Sequence, residues 1–160
     1  MNIFVFYKKF LLLLMAFVVT MAHAQDKNSS VKSMLETKRF VFKAQSVSPT
    51  SMAVRQLTGD NYNLRISGDS LVSYLPYFGR AYTAPSPGAS GGYNFTSEDF
   101  DYTAKNRRKG GWEVLIKPND VNDVREFSLT VTENGYATLR ALSNNRQLIS
   151  YNGYLVETGK

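Results

Sequence analysis

From Arg39 onward, apolar side chains recur at every second position in short runs, and each run ends at Gly, Pro, Asn or Asp. That period puts one face of an extended strand into a core and the other into water; an amphipathic helix would repeat every three to four residues. In RFVFKAQSVSP, Phe40, Phe42 and Ala44 share one face, Val41 and Lys43 the other, and Pro49 ends the run. MAVRQL sets Met52, Val54 and Gln56 against Ala53, Arg55 and Leu57. Beyond the turn at Gly59-Asp60-Asn61, YNLRIS directs Tyr62, Leu64 and Ile66 to one side, and Gly68-Asp69 turns the chain into SLVSYL.

The C-terminal half continues the habit with YNFT, DFDYTAK, GWEVLIKP, REFSLTVTENG, YATLRALSNN and RQLISYNGYLVE. Phe127, Leu129 and Val131 alternate with Ser128, Thr130 and Thr132, as in a strand wetted on one face. Asn134-Gly135 predicts a two-residue hairpin turn because both residues tolerate positive φ. Asn144-Asn145 marks a second turn, Arg107 to Gly111 a looser third, and APSPGASGG (84–92) is a loop. Eight or nine such strands predict an all-β domain, a curved antiparallel sheet forming a partial barrel or sandwich. Ahead of it, Val31, Met34 and Leu35 fall at helical spacing in a polar stretch and predict a short N-terminal helix.

The first two dozen residues read as an export signal. Lys8 and Lys9 precede the apolar run Phe10 to Met21, and Ala22-His23-Ala24 is a small-x-small cleavage pattern before Gln25. The apolar run is about 12 residues long where about 20 are needed to span a bilayer. The expected product is periplasmic or secreted, with a polar segment at 25–38 and a single β-rich domain at 39–160. It is not membrane-spanning, and without cysteine it is not a lipoprotein.

Cleavage would remove His23, the one histidine, and the chain has no cysteine. Nucleophilic systems that rely on an imidazole, and zinc, copper or haem sites that rely on His or Cys, have no ligands to draw on. No cofactor, no metal and no catalysis are therefore expected, and stability has to come from packing and not from disulfides. Loss of Lys8 and Lys9 lowers the formal charge from +6 to +4. The remaining basic residues are dispersed except in KNRRKGGW (105–112), read as a solvated hairpin tip in preference to an anion site. Nucleic acid is not an expected partner.

The densest aromatic stretch is SYLPYFGRAY (73–82). A strand there would put Leu75, Tyr77, Gly79 and Ala81 on one face and Tyr74, Pro76, Phe78, Arg80 and Tyr82 on the other, with Pro76 forcing an edge or bulge. Its rings and guanidinium either line a binding surface or fill the core around a structural Arg80. In RQLISY, a regular strand turns Arg146 and Tyr151 to opposite faces, and Arg146 is expected to fix the Asn144-Asn145 turn. Tyr74, Tyr77, Phe78, Arg80, Tyr82, Arg146 and Tyr151 are the candidate ligand-binding residues. A pair among Glu98, Asp99 and Asp101 has a spacing open to glycosidase chemistry, and Asn119 to Asp123 offers oxygen ligands for calcium; solvated acids and an ordinary polar turn account for both.

DSLVSYLPYFGRAY (69–82), the Gly91-Gly92-x-x-Phe95 step, GWEVLIKP and NGYATLRALSNNRQLISYNGYL (134–155) together resemble a family of exported Bacteroidota proteins, domain of unknown function 4251. The likeness runs from about Phe40 to Leu155 and is most specific at Leu75 to Tyr82 and at Asn145-Arg146-Gln147 through Ser150-Tyr151-x-Gly153. It implies an exported, mostly β envelope domain and supplies no catalytic residues. The expected function is non-catalytic binding of an apolar or amphipathic ligand such as a lipid, or of an envelope protein, through an aromatic-lined β surface. The alternatives are a carboxylate-based glycan hydrolase and a purely structural or interaction module.

Overall fold

The computed structural model describes residues 30–59, 61–82 and 91–158, so the export signal read at 1–24 lies outside the described residues. A helix, α1 (30–36), precedes ten strands. These are β1 (Arg39–Pro49), β2 (Arg55–Gln56), β3 (Asn63–Ser67), β4 (Ser70–Leu75), β5 (Tyr93–Ser97), β6 (Phe100–Asn106), β7 (Trp112–Pro118), β8 (Val124–Val131), β9 (Tyr136–Ser143) and β10 (Ile149–Glu157). Among the described residues no helix is long and apolar enough to cross a membrane.

Every ladder is antiparallel, in the order β5-β4-β3-β1-β10-β9-β8-β7-β6. The first strand is central: β1 holds β10 along one side, and β3 followed by β2 along the other. β5 and β6 are the two ends of that order, yet only Glu98 and Asp99 separate them in the chain. One bent strand thus passes from pairing with β4 to pairing with β7, which obliges the sheet to curl into a nearly closed barrel. The corner is pinned to the β7–β8 loop. The Asn119 amide donates to the Asp99 carbonyl (2.8 Å), Asn119 Nδ2 to Asp99 Oδ1 (3.1 Å), and the Glu98 amide to Asp120 Oδ2 (3.0 Å). The Ser97 hydroxyl, and after it that Glu98 amide, hold the Asp120 carboxyl below the usual carboxylate range.

Alternation fills the barrel as expected, with Phe40, Phe42, Leu64, Ile66, Leu71, Leu75, Val114, Ile116, Phe127, Leu129 and Leu139 all buried. Two bulges reset the phase. A register shift between Ala44 and Ser46 changes the inward set of β1 from Phe40, Phe42 and Ala44 to Val47 and Pro49, and one between Val124 and Glu126 does the same in β8. α1 turns Val31, Met34 and Leu35 into the core, as their spacing predicts. It ends at Lys38 in the left-handed region (φ 54°), whose carbonyl accepts the Gly68 amide (3.0 Å), and the Leu35 carbonyl accepts the Tyr102 hydroxyl (2.9 Å). The helix therefore lies over the barrel end that carries the β3–β4 and β8–β9 turns.

Two local expectations are corrected. MAVRQL supplies only the two-residue β2, and Met52 and Val54 are exposed, because the Thr50 and Ser51 hydroxyls draw the chain before them to Leu148 and Gln147, and only Arg55 and Gln56 return to pair with Val47 and Ser46. Asn134-Gly135 does not make a two-residue turn: the Thr132 amide donates to the Tyr136 carbonyl (2.8 Å) around a three-residue loop, and only Gly135 takes positive φ (84°). The 107–111 tip closes in the same way, with the Arg107 amide on the Gly111 carbonyl (3.0 Å).

Gly153 faces Ala44 beside the first bulge, and a Cβ there would run into the Lys43 carbonyl. Gly153→Ala is expected to lower stability by about 2–4 kcal/mol in urea titrations. A loss below about 0.5 kcal/mol would mean that β1 yields at the bulge.

Candidate functional site

β4 stops at Leu75 because Pro76 has no amide to donate. The strand expected through Tyr82 is not formed. Residues 76–82 instead leave the sheet and cross the open end of the barrel to the segment before β10. There the Gln147 amide donates to the Arg80 carbonyl (2.9 Å), the Tyr82 amide to the Asn145 carbonyl (2.8 Å), and Ala81 bridges Arg146. β3 and β1 stand between β4 and β10 in the sheet, so this segment is a strap over the mouth.

One aromatic ring of the strap, Tyr77, reaches the rings of the interior. The Tyr77 hydroxyl lies between the carbonyls of Arg80 (2.7 Å) and Gln147 (3.0 Å), and its ring meets Tyr93 edge-on at 5.6 Å. Tyr93 in turn stands edge-on to Phe127 (6.2 Å), on which Phe95 stacks (6.0 Å). Tyr151 is fully buried and donates to the Pro76 carbonyl (2.7 Å). The buried Tyr93 hydroxyl closes no hydrogen bond among the described residues, although the Ser143 side chain stands near enough to favour its ionised form slightly.

Arg146 binds these pieces together. Its Nε donates to Asp123 Oδ1 (3.1 Å) and its Nη2 pairs with Asp123 Oδ2 (2.9 Å), a fork that matches the carboxylate plane. Nη1 reaches the carbonyls of Gly91 (3.1 Å) and Gly92 (3.4 Å). The guanidinium carbon is 5.1 Å from the centroids of both Tyr77 and Tyr93, and the side chain is only 11% exposed. With Asp123 as its counterion, this cation is a tie between strand ends and not an open anion receptor.

The candidate residues thus separate into two groups. Tyr77, Arg146 and Tyr151 form the knot. Tyr74 stacks on Tyr62 (5.8 Å) outside the barrel, Phe78 lies half-buried beneath the Arg55 guanidinium (5.0 Å), and Arg80 and Tyr82 are exposed. Arg146 and Tyr151 face inward together because 147–148 lie outside any strand, and alternation restarts at Ile149. Nor does the Arg146 side chain fix the Asn144-Asn145 turn: the Ser143 hydroxyl accepts the Asn145 amide there (3.1 Å). Sequence reasoning missed Asp123 and Tyr93. Tyr93 was within reach, since it shares the parity of Phe95; Asp123 carried no local sign of its partner. Glu98, Asp99 and Asp101 are exposed at the β5–β6 corner, with the Asp99 carboxylate engaged by Asn119. In the Asn119 to Asp123 turn, Asp120 and Asp123 are committed to Glu98 and Arg146.

Removing one member of the knot leaves the others unpaired. Arg146→Met is expected to cost about 3 kcal/mol in guanidinium denaturation. Arg146→Lys should recover only part of that, because an ammonium cannot fork Asp123 and also reach Gly91. Burial raises the titration of Tyr77, Tyr93, Tyr102 and Tyr151 above the ordinary tyrosine value. The unfolded chain then releases protons that the fold retains, so stability is full below about pH 10 and falls as pH rises beyond it. Tyrosinate absorbance should show the Tyr93, Tyr102 and Tyr151 hydroxyls ionising only together with loss of the near-ultraviolet circular dichroism. Their ionisation near pH 10 in the intact fold would contradict the burial.

The family model described as domain of unknown function DUF4251 matches residues 22–155. The fold is similar to the crystal structure, at 1.95 Å, of a DUF4251 family protein from Bacteroides eggerthii DSM 20697, with a TM-score of 0.61 and 16% identity over 82% of this chain and 87% of that one. No curated protein matches the chain. On the strength of the family match over most of its length, the chain belongs to the DUF4251 family of domains of unknown function.

Proposed function

We propose that this is an exported, non-catalytic binding module of the cell envelope that meets a partner protein with the rim of its strapped end. The observation that carries the reading is the division of the aromatic residues. Tyr77, Tyr93 and Tyr151 are used up inside the knot, while Phe78, Arg80 and Tyr82 remain at the surface of the same strap, Tyr82 with 69% exposure.

Met52 and Val54 belong to the same rim. The Thr50 hydroxyl donates to the Leu148 carbonyl (2.7 Å) and the Ser51 hydroxyl to Gln147 Oε1 (3.1 Å), so segment 50–55 hangs on the residues that receive the strap. Exposed apolar and aromatic side chains beside two arginines, Arg55 and Arg80, suit a protein surface that offers apolar groups ringed by carboxylates. Burial of the described interior side chains supports this surface mode over an amphipathic ligand held inside the barrel. The export signal read in residues 1–24 supports the location in the envelope.

A photo-reactive phenylalanine analogue placed at Tyr82 in cells should give one discrete protein adduct, abolished by Arg80→Glu in the same chain. The same probe at Tyr136, exposed at the opposite end of the barrel, should give none. Equal labelling from both positions, or native mass spectra showing a retained lipid in place of any protein contact at Tyr82, would sink the reading.

A further inference from the structure

Two charged runs singled out in the sequence are joined by β6 and play no part in the strapped end. Asp101 and Lys105 lie within this strand, Glu98 and Asp99 in the bend just before it, and Arg107 and Arg108 in the hairpin tip just after it. All six are exposed, and none forms an ion pair among the described residues.

β6 also has an unused edge. Among the described residues it pairs with β7 alone, because the barrel closes through the bent chain at Glu98-Asp99 and not through a ladder between β5 and β6. Its register against β7 is unbroken from Phe100 to Asn106, without the bulge or proline that commonly blunts an exposed strand. Thr103 to Asn106 are exposed.

The charges are disposed symmetrically with opposite signs about Thr103. Asp101 and Lys105, Asp99 and Arg107, and Glu98 and Arg108 stand at equal distances before and after it. An antiparallel pair of identical strands centred on Thr103 therefore sets Asp101 opposite Lys105 of the other copy, and two-fold symmetry repeats the match, with the acids of one bend toward the bases of the other copy's tip. Side-chain parity requires any other register to differ by two residues. A shift of one copy by two residues in either direction breaks the match of Asp101 with Lys105.

We propose that β6 joins two copies of this chain edge to edge, with Thr103 on the two-fold axis, extending each barrel wall into the other. The occupant of the edge is a second copy because the strand is complementary in charge to itself. The backbone supplies the attraction common to all exposed edges, and Asp101, Lys105 and their flanking charges select the register.

Sedimentation velocity of the purified protein should show a dimer that weakens as salt rises. Asp101→Lys alone and Lys105→Asp alone should each weaken it about tenfold or more, since each reversal turns two attractions into repulsions. The combined exchange Asp101→Lys with Lys105→Asp restores the complementarity and should return the affinity to within about threefold of the original. The chain has no cysteine, so Thr103→Cys provides a unique thiol at the axis. Under mild oxidation it should link to itself far faster than Arg125→Cys, an exposed control on β8, with circular dichroism confirming that both variants are folded. A protein that remains monomeric up to its solubility limit overturns the proposal. So does equal cross-linking of the two thiols, or a dimer indifferent to both charge reversals.

Discussion

The fold depends on the two residues that carry one strand from one end of the sheet to the other. Because β5 belongs to β4 and β6 belongs to β7, the sheet cannot lie open: the chain itself closes it. A protein without disulfides gains from such closure, since the interior side chains are shielded from water around nearly the whole wall, the seam between β5 and β6 excepted. Closure also creates two ends that must be sealed. The hydrogen bonds of Asn119 and Asp120 to the corner tie the sealing problem to the β7–β8 loop, whose last acid is the Asp123 that holds Arg146.

The ends are sealed by opposite chemistry. At one, α1 sets Val31, Met34 and Leu35 on the core and needs only a few backbone bonds for orientation. At the other, two tyrosines and a guanidinium are locked by carbonyls and a single carboxylate, with the Tyr93 ring packed among them. Burying that cation is costly, and only the forked carboxylate, the two glycine carbonyls and the two ring faces together offset the desolvation. An apolar plug tolerates adjustment. The polar one fixes a single arrangement of the strap, the Gly91-Gly92 step and the entry to β10, which is why the residues at its rim keep defined positions.

The alternation that made the barrel legible is a local property. Phe40, Phe42, Leu64, Ile66 and Phe127 announce their faces from their immediate neighbours. The strap was half legible: Pro76 warned that the ladder must break, but where the chain went afterwards depended on carbonyls seventy residues away, at Gln147. Arg146 illustrates the limit most clearly. Its partners Asp123, Gly91 and Gly92 come from two other loops, and its inward orientation results from a break at 147–148 that no periodicity marks. MAVRQL erred in the other direction, since its pattern was sound but the bonds of Thr50 and Ser51 to Leu148 and Gln147 draw the chain away from β1. The β1 bulge left a trace in the jump from Ala44 to Val47, but a phase change alone reads equally well as the end of a strand.

The central position of β1 has a consequence for the order of assembly. Strands β6 to β9 pair with sequence neighbours across short turns, whereas the most extensive ladder in the sheet unites the first strand with the last. Loop-closure entropy delays such a pairing until nearly the whole chain is available. The C-terminal meander is therefore poised to form early and to wait with an unsatisfied β10, and the search of β1 for that strand sets the pace of folding. Until it succeeds, neither plug has a barrel to fill, and the chain remains at its most vulnerable to aggregation.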